Sequence, residues 1–220
     1  MKIIGIDDAG RGPVLGSMSL AGVMIDDESE QEKIKEMGAK DSKLLSPAQR
    51  MRIKNEVQLK YKYKIVESSP KDIDDFPNLN NLEALKASMI INHLMTDVDE
   101  KVKVIVDAPS TNASAWGDYL KGLVIKKDQV EIVSEHKADL NYPVVSAASI
   151  LAKENREKGI RKLKNELDAD FGSGYPADPK TKKFLEENWD NPKFEGLIRK
   201  SWSTYKKLAA KEKQQELYLL

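Results

Sequence analysis

The sequence predicts an α/β fold, an open sheet that starts as an antiparallel hairpin and continues with largely parallel strands. Three observations predict it. Short strand-like runs at residues 2–7, 17–25, 61–67, 102–106 and 130–134 are interspersed with helical spacing at 80–96, 113–123 and 144–167. Strands alternating with helices imply parallel pairing through crossovers. The first two runs are joined by a turn rich in Gly and Pro, which reads as a hairpin. The run at 102–106 is nearly all apolar and ends at Asp107, as in a central strand covered on both faces.

The elements follow in order. Residues 2–7 form a buried strand that ends in acid, and 17–25 form its hairpin partner. Ser46 is a natural N-cap and Pro47 suits the first helical position, so a helix starts there. Residues 61–67 alternate and make a third strand. Leu82, Leu85, Met89, Ile90, His93 and Leu94 recur at helical spacing within 80–96. A helix at 113–123, a strand at 130–134 and a long helix at 144–167 come next. The long helix is apolar at first and charged later. Residues 171–179 (FGSGYPADP) read as a linker, followed by short helices near 179–189 and 204–217.

Composition narrows the chemistry. The chain has 220 residues, 40% hydrophobic and 33% charged, which suits one main domain with a small appendage. It has no cysteine, which excludes disulfide scaffolds, Cys-ligated zinc and thiol nucleophiles. Its two histidines, His93 and His136, leave little room for an imidazole site. A metal would rest on carboxylates, pointing to Mg or Mn. No apolar run of about 18 residues occurs, so a cytoplasmic location is expected. Net charge is zero, but residues 193–213 hold seven basic residues against two acidic ones. That local excess suits a nucleic-acid backbone more than the chain's sum does.

Acidic residues sit where open α/β sheets bind ligands, beyond the carboxyl ends of strands. Asp7 ends the first strand, Asp107 a central one, and Asp139 follows the next by a few residues. Clustered carboxylates raise one another's proton affinity, and a divalent cation relieves that cost. Two such ions suffice for phosphodiester hydrolysis without histidine or cysteine. An aspartate after a strand is equally an ordinary cap or solvated turn residue, and spacing alone leaves both readings open.

Six blocks in one order then resemble a known family. Gly5-Ile6-Asp7-Asp8-Ala9-Gly10-Arg11-Gly12-Pro13-Val14 resembles the opening signature of ribonuclease HII. Lys40-Asp41-Ser42-Lys43 and Val106-Asp107-Ala108-Pro109-Ser110 resemble its second and third blocks. His136-Lys137-Ala138-Asp139, with the run from Tyr142 to Lys153, resembles the fourth. Gly172-Ser173-Gly174-Tyr175-Pro176 and Arg199-Lys200-Ser201-Trp202 complete the set, and the archaeal form is the nearest likeness. The resemblance implies a ribonuclease H-like fold: a five-stranded mixed sheet flanked by helices, with a small C-terminal helical extension. Residues 1–178 would be the catalytic domain and 179–220 the substrate-binding extension. It implies hydrolysis of RNA in RNA/DNA hybrids, and at single ribonucleotides in duplex DNA, leaving 5′-phosphate and 3′-hydroxyl ends. Asp7, Asp8, Asp107 and Asp139 would hold two divalent ions. Asp8 departs from the pattern, where the family usually has Glu, so a catalytically weakened hybrid-binding protein is the alternative.

Substrate contacts follow from the same blocks. A hybrid nuclease must feel the 2′-hydroxyl. Gly10-Arg11-Gly12 lacks side chains at two positions, so its backbone can approach a sugar closely. The resemblance implies that role; the turn alone needs those glycines too. Tyr175 is flanked by Gly174 and Pro176 and can stack on a sugar or base. Lys40 and Lys43 can bind phosphates, and Ser146 to Ser149 let a helix start pack close to the sheet, where its N-terminus favours phosphate. Gln214, Leu217 and Leu220 have the spacing of a sliding-clamp-binding peptide without its usual aromatic pair. The first strand starts at Lys2, which argues against the sister type, ribonuclease HIII, with its added N-terminal domain. Nothing in the sequence calls for more than a monomer.

Overall fold

The structure is a computed structural model that describes residues 1–39 and 45–218, with side chains as far as Lys211. Five described strands form one mixed sheet in the order β3-β2-β1-β4-β5. They are β1 (Lys2–Ala9), β2 (Met18–Ile25), β3 (Lys62–Ser68), β4 (Val102–Asp107) and β5 (Val130–Glu135). β1 pairs antiparallel with β2, and β4 runs parallel to both β1 and β5. The α/β class and the hairpin opening are therefore as the sequence implies.

The chain divides into two compact units. The first comprises Met1–Ala9, Ser19–Glu67 and Asn78–Asn155. Its helices include α1 (Glu30–Glu36), α2 (Pro47–Lys60), α4 (Leu79–Leu94), α5 (Ala113–Leu123), α6 (Ala138–Asn141) and the start of α7 (Pro143–Leu167). α2 begins with a capping box: Ser46 Oγ accepts from Gln49 N at 3.3 Å, and Gln49 Oε1 accepts from Ser46 N at 2.8 Å. Ile3, Val23, Ile105, Val144, Ala147, Ala148 and Leu151 meet in one buried cluster, which seats the start of α7 on the sheet. Gly5 permits that contact. A Cβ there would lie 2.6 Å from the carbonyl carbon and oxygen of Val144. Arg50 and Glu154 form a buried ion pair at 2.7 Å, and Arg50 also donates to Leu45 O at 2.9 Å.

The second unit comprises Gly10–Met18, Ser68–Pro77 and Arg156–Leu220. It contains α3 (Pro70–Asp75), the rest of α7, α8 (Pro179–Asn188), a 3-10 segment at Pro192–Leu197, and α9 (Ser203–Tyr218). Its core is aromatic. Phe184 meets Phe171 at 5.7 Å and Phe194 at 4.8 Å between ring centroids, with Val14, Leu15 and Ile198 around them.

The segment at 171–179 is a correction to the linker expectation. Phe171 has no exposed surface. Its carbonyl accepts from Thr181 Oγ1 at 2.9 Å, and the same hydroxyl accepts from Gly174 N at 3.0 Å. Gly and Pro here serve a folded turn whose one large apolar side chain completes a core. Helices α1, α3 and α6 are further departures. Each is seven residues or fewer, too short to show two turns of apolar periodicity.

Candidate active site

Asp7 sits near the carboxyl end of β1, only 7% exposed. Parallel pairing aligns Ile6 with Val106, so the next residues, Asp7 and Asp107, are set side by side on adjacent strands. Parallel neighbours lie about 4.8 Å apart and present paired side chains to one face. Burial pushes the Asp7 carboxyl well above its ordinary value, and the charge of Asp8 adds to that. A hydrogen bond from Ser149 opposes the shift, and the charge of Asp107 reinforces it. Asp8 N also donates to Asp7 Oδ1 at 2.7 Å. A buried carboxylate crowded by two others is a site that prefers a proton or a cation to being bare.

Asp107 orders the next stretch of chain. Its Oδ1 accepts from Ala138 N at 3.0 Å, at the start of α6. Lys137 enters that helix in the left-handed region, with φ of 59°. Asp139 falls in the first turn of α6, next to the residue whose N–H Asp107 accepts. Ser146 Oγ donates to Asp139 O and so ties α7 to α6.

Two neighbours escaped the sequence reading by role. In sequence Ser149 is only a small residue at a helix start, yet its side chain hydrogen-bonds Asp7. Glu135 is in register with Asp107 across β4 and β5, and Tyr142 donates to its Oε1 at 3.1 Å. A strand ended at residue 134 hides it. The signal was present, since Glu135 continues the run by one residue.

These residues suit a hard divalent cation by donor chemistry: carboxylate and hydroxyl oxygens, with one carboxylate held buried. Among the described residues, no three His, Cys, Asp or Glu side chains converge tightly enough to hold an ion unaided. Mg keeps several waters and is held by one or two carboxylates plus substrate phosphates, so the donor set still fits.

Within the second unit, Gly10-Arg11-Gly12 forms a turn in which Gly10 has φ of 89°. A Cβ on Gly10 would sit 2.3 Å from Arg156 Cδ, so only glycine fits that conformation and that space. The Tyr175 ring lies beside Gly12, 43% exposed, with the Arg156 guanidinium 5.3 Å from its centroid. Gly174 O accepts from Val14 N at 2.8 Å, which fixes the tyrosine's segment to the turn. Trp202 is half-buried, and its Nε1 donates to Gly12 O at 3.1 Å.

Lys40 and Lys43 lie outside the described residues, as does Leu220. Gln214 and Leu217 fall on α9, beyond the described side chains. The basic stretch at 193–213 is not one solvated stripe. Arg199 is fully buried, and Lys200 pairs with Glu195 at 2.7 Å. No helix among the described residues is long and apolar enough to cross a membrane.

Comparison with known proteins agrees with the six blocks. The family model described as Ribonuclease HII matches residues 4–205. A ribonuclease HII of Pyrococcus furiosus is 41% identical over all of this chain and 97% of its own length. The ribonuclease H2 crystal structure from Pyrococcus horikoshii superposes with TM-score 0.84 at 36% identity, covering 96% of this chain and 98% of that one. A ribonuclease HII from Archaeoglobus fulgidus, solved in complex with PCNA, gives TM-score 0.80 at 32% identity, covering 92% of this chain and 96% of that one.

Proposed function

The chain belongs to the ribonuclease HII family, a family of metal-dependent endonucleases acting on RNA/DNA hybrids, and from that premise we propose that it cuts such hybrids, and single ribonucleotides within duplex DNA, with two divalent ions held by Asp7, Asp8, Asp107 and Asp139. The products carry 5′-phosphate and 3′-hydroxyl ends. The observation that supports this best is the buried Asp7 carboxyl, raised in proton affinity and flanked by the charges of Asp8 and Asp107. Asp7, Asp8, Asp107 and Asp139 would hold Mg or Mn, which when bound would supply activation of water and stabilisation of the leaving oxygen. Ser149 keeps Asp7 ionisable, and Asp107 holds α6 so that Asp139 stays at the strand edge.

In this reading Gly10-Arg11-Gly12 senses the 2′-hydroxyl and Tyr175 stacks on the neighbouring sugar. Lys40 and Lys43 bind phosphate, while Ser146, its hydroxyl donated to Asp139 O, keeps α6 against the start of α7. Residues 1–178 carry catalysis, and 179–220 add a helical surface for substrate. The test is cleavage of duplex DNA holding one ribonucleotide, with Mg or Mn, beside Asp107→Asn. Equal inactivity of both proteins at every metal concentration sinks the proposal.

Asp8 favours one second reading. Successive side chains of a strand turn to opposite faces, so a residue directly after Asp7 needs reach to return to its side. Asp8 is one methylene shorter than glutamate, and a weakened, hybrid-binding protein would follow from that. Cleavage appearing only in Asp8→Glu decides for it. A sliding clamp is the proposed protein partner, through Gln214, Leu217 and Leu220, on the precedent of the Archaeoglobus fulgidus complex. Titration of the C-terminal peptide against a clamp tests it, and no binding at high micromolar concentration removes it.

A further inference from the structure

Burying an arginine is costly unless its donors are met. Arg199 has no exposed surface, and all three of its guanidinium nitrogens donate to one turn. Nε donates to Gly16 O at 2.8 Å, Nη1 to Arg11 O at 3.0 Å and Nη2 to Gly10 O at 2.7 Å. The Trp202 ring centroid lies 4.9 Å from its Cζ, while Trp202 Nε1 takes Gly12 O. The segment that delivers both side chains is itself pinned. Arg199 N donates to Val14 O at 2.9 Å, and Asp74 accepts from Lys200 N at 2.7 Å and Ser201 N at 2.9 Å.

A trans peptide points its carbonyl and its N–H in opposite directions. Drawing the carbonyls of Gly10 and Arg11 toward one guanidinium therefore turns the N–H groups of Arg11 and Gly12 the other way. The next peptide, whose carbonyl Trp202 holds, ends at Pro13 and has no N–H. We propose that Arg199 is a positioning residue for ribonucleotide recognition: from inside the protein it aims the backbone donors of Arg11 and Gly12 at the 2′-hydroxyl, with Trp202 fixing the end of the turn. This rests on the reading of Gly10-Arg11-Gly12 as the ribonucleotide sensor. The guanidinium's planar fork is what spans the carbonyls, and a lysine ammonium, a point donor, cannot.

The experiment measures affinity for duplex DNA with one ribonucleotide and for the same duplex in all-DNA form, in chelator so that nothing is cut. Wild type, Arg199→Lys and Trp202→Phe are compared, each with a thermal melt. Losing charged hydrogen bonds should cut the preference for the ribonucleotide about tenfold in Arg199→Lys, and losing one neutral bond about threefold in Trp202→Phe. A merely structural loss lowers the active fraction for both duplexes alike and leaves their ratio untouched. Wild-type preference in both folded variants overturns the proposal. If Arg199→Lys does not fold, an unchanged ratio in Trp202→Phe overturns it alone. A wild type with no preference instead defeats the sensor reading, and the inference with it.

Discussion

Gly5→Ala is the sharpest test of how the fold positions the carboxylates. Gly5 lies in mid-β1, two residues before Asp7, and the start of α7 rests on it. The added methyl would lie 2.6 Å from the backbone of Val144, against an ordinary contact of at least 3.4 Å. Something must move by about 0.8 Å, and the neighbours are backbone atoms that cannot rotate aside. Overpacking of this kind costs about 1–3 kcal/mol. Alanine also lowers unfolded-chain freedom, which returns about 0.4–1 kcal/mol. The net loss is about 1–2 kcal/mol, or roughly 2–8 °C in Tm for a chain of this size. Ser149 lies on the same helix, so displacing α7 draws its hydroxyl from Asp7. A misplacement near 1 Å can lower activity about a hundredfold. Thermal melts and single-ribonucleotide cleavage at saturating metal read both effects. A Tm and a rate indistinguishable from wild type would refute the claim that close approach of α7 sets the site.

Two further outcomes follow. Asp7 has its folded-state pKa raised above the ordinary 3.8, mainly by burial and then by Asp8, so its contribution favours the fold below 3.8 and is lost as pH rises through the folded pKa. Asp7→Asn should therefore melt higher than wild type without metal, by a margin that widens from acid to neutral pH, and should lose metal-induced stabilisation; a margin constant with pH contradicts this. Glu154→Ala removes the carboxylate that pairs with the buried Arg50 guanidinium and should cost about 3–5 kcal/mol in urea unfolding, with cleavage per folded molecule little changed. A loss under 1 kcal/mol would mean that water or another group reaches Arg50.

Much of the site was legible because its chemistry is local in sequence. Asp7 and Asp107 end apolar runs, a pattern that needs no tertiary information to stand out, although β1 itself continues to Ala9. The Ser46 cap and Pro47 marked α2 for the same reason, since capping is written within four residues. Asp139 was visible as an acid, but its link to Asp107 depends on a hydrogen bond across 31 residues of chain. Ser149 could not be told from its small neighbours, because only the seating of α7 decides which hydroxyl meets Asp7.

The Asp7 edge and the basic C-terminal stretch therefore stand at opposite ends of what sequence can say. Alternating runs, caps and six ordered blocks determined the α/β class and the family, because period and residue type are carried by neighbours. Tertiary structure alone decided that Arg199, a cation in the most basic stretch of the chain, faces no solvent. A formal charge does not reveal its environment. Arg199 is buried because the carbonyls of Gly10, Arg11 and Gly16, more than 180 residues away, meet its donors.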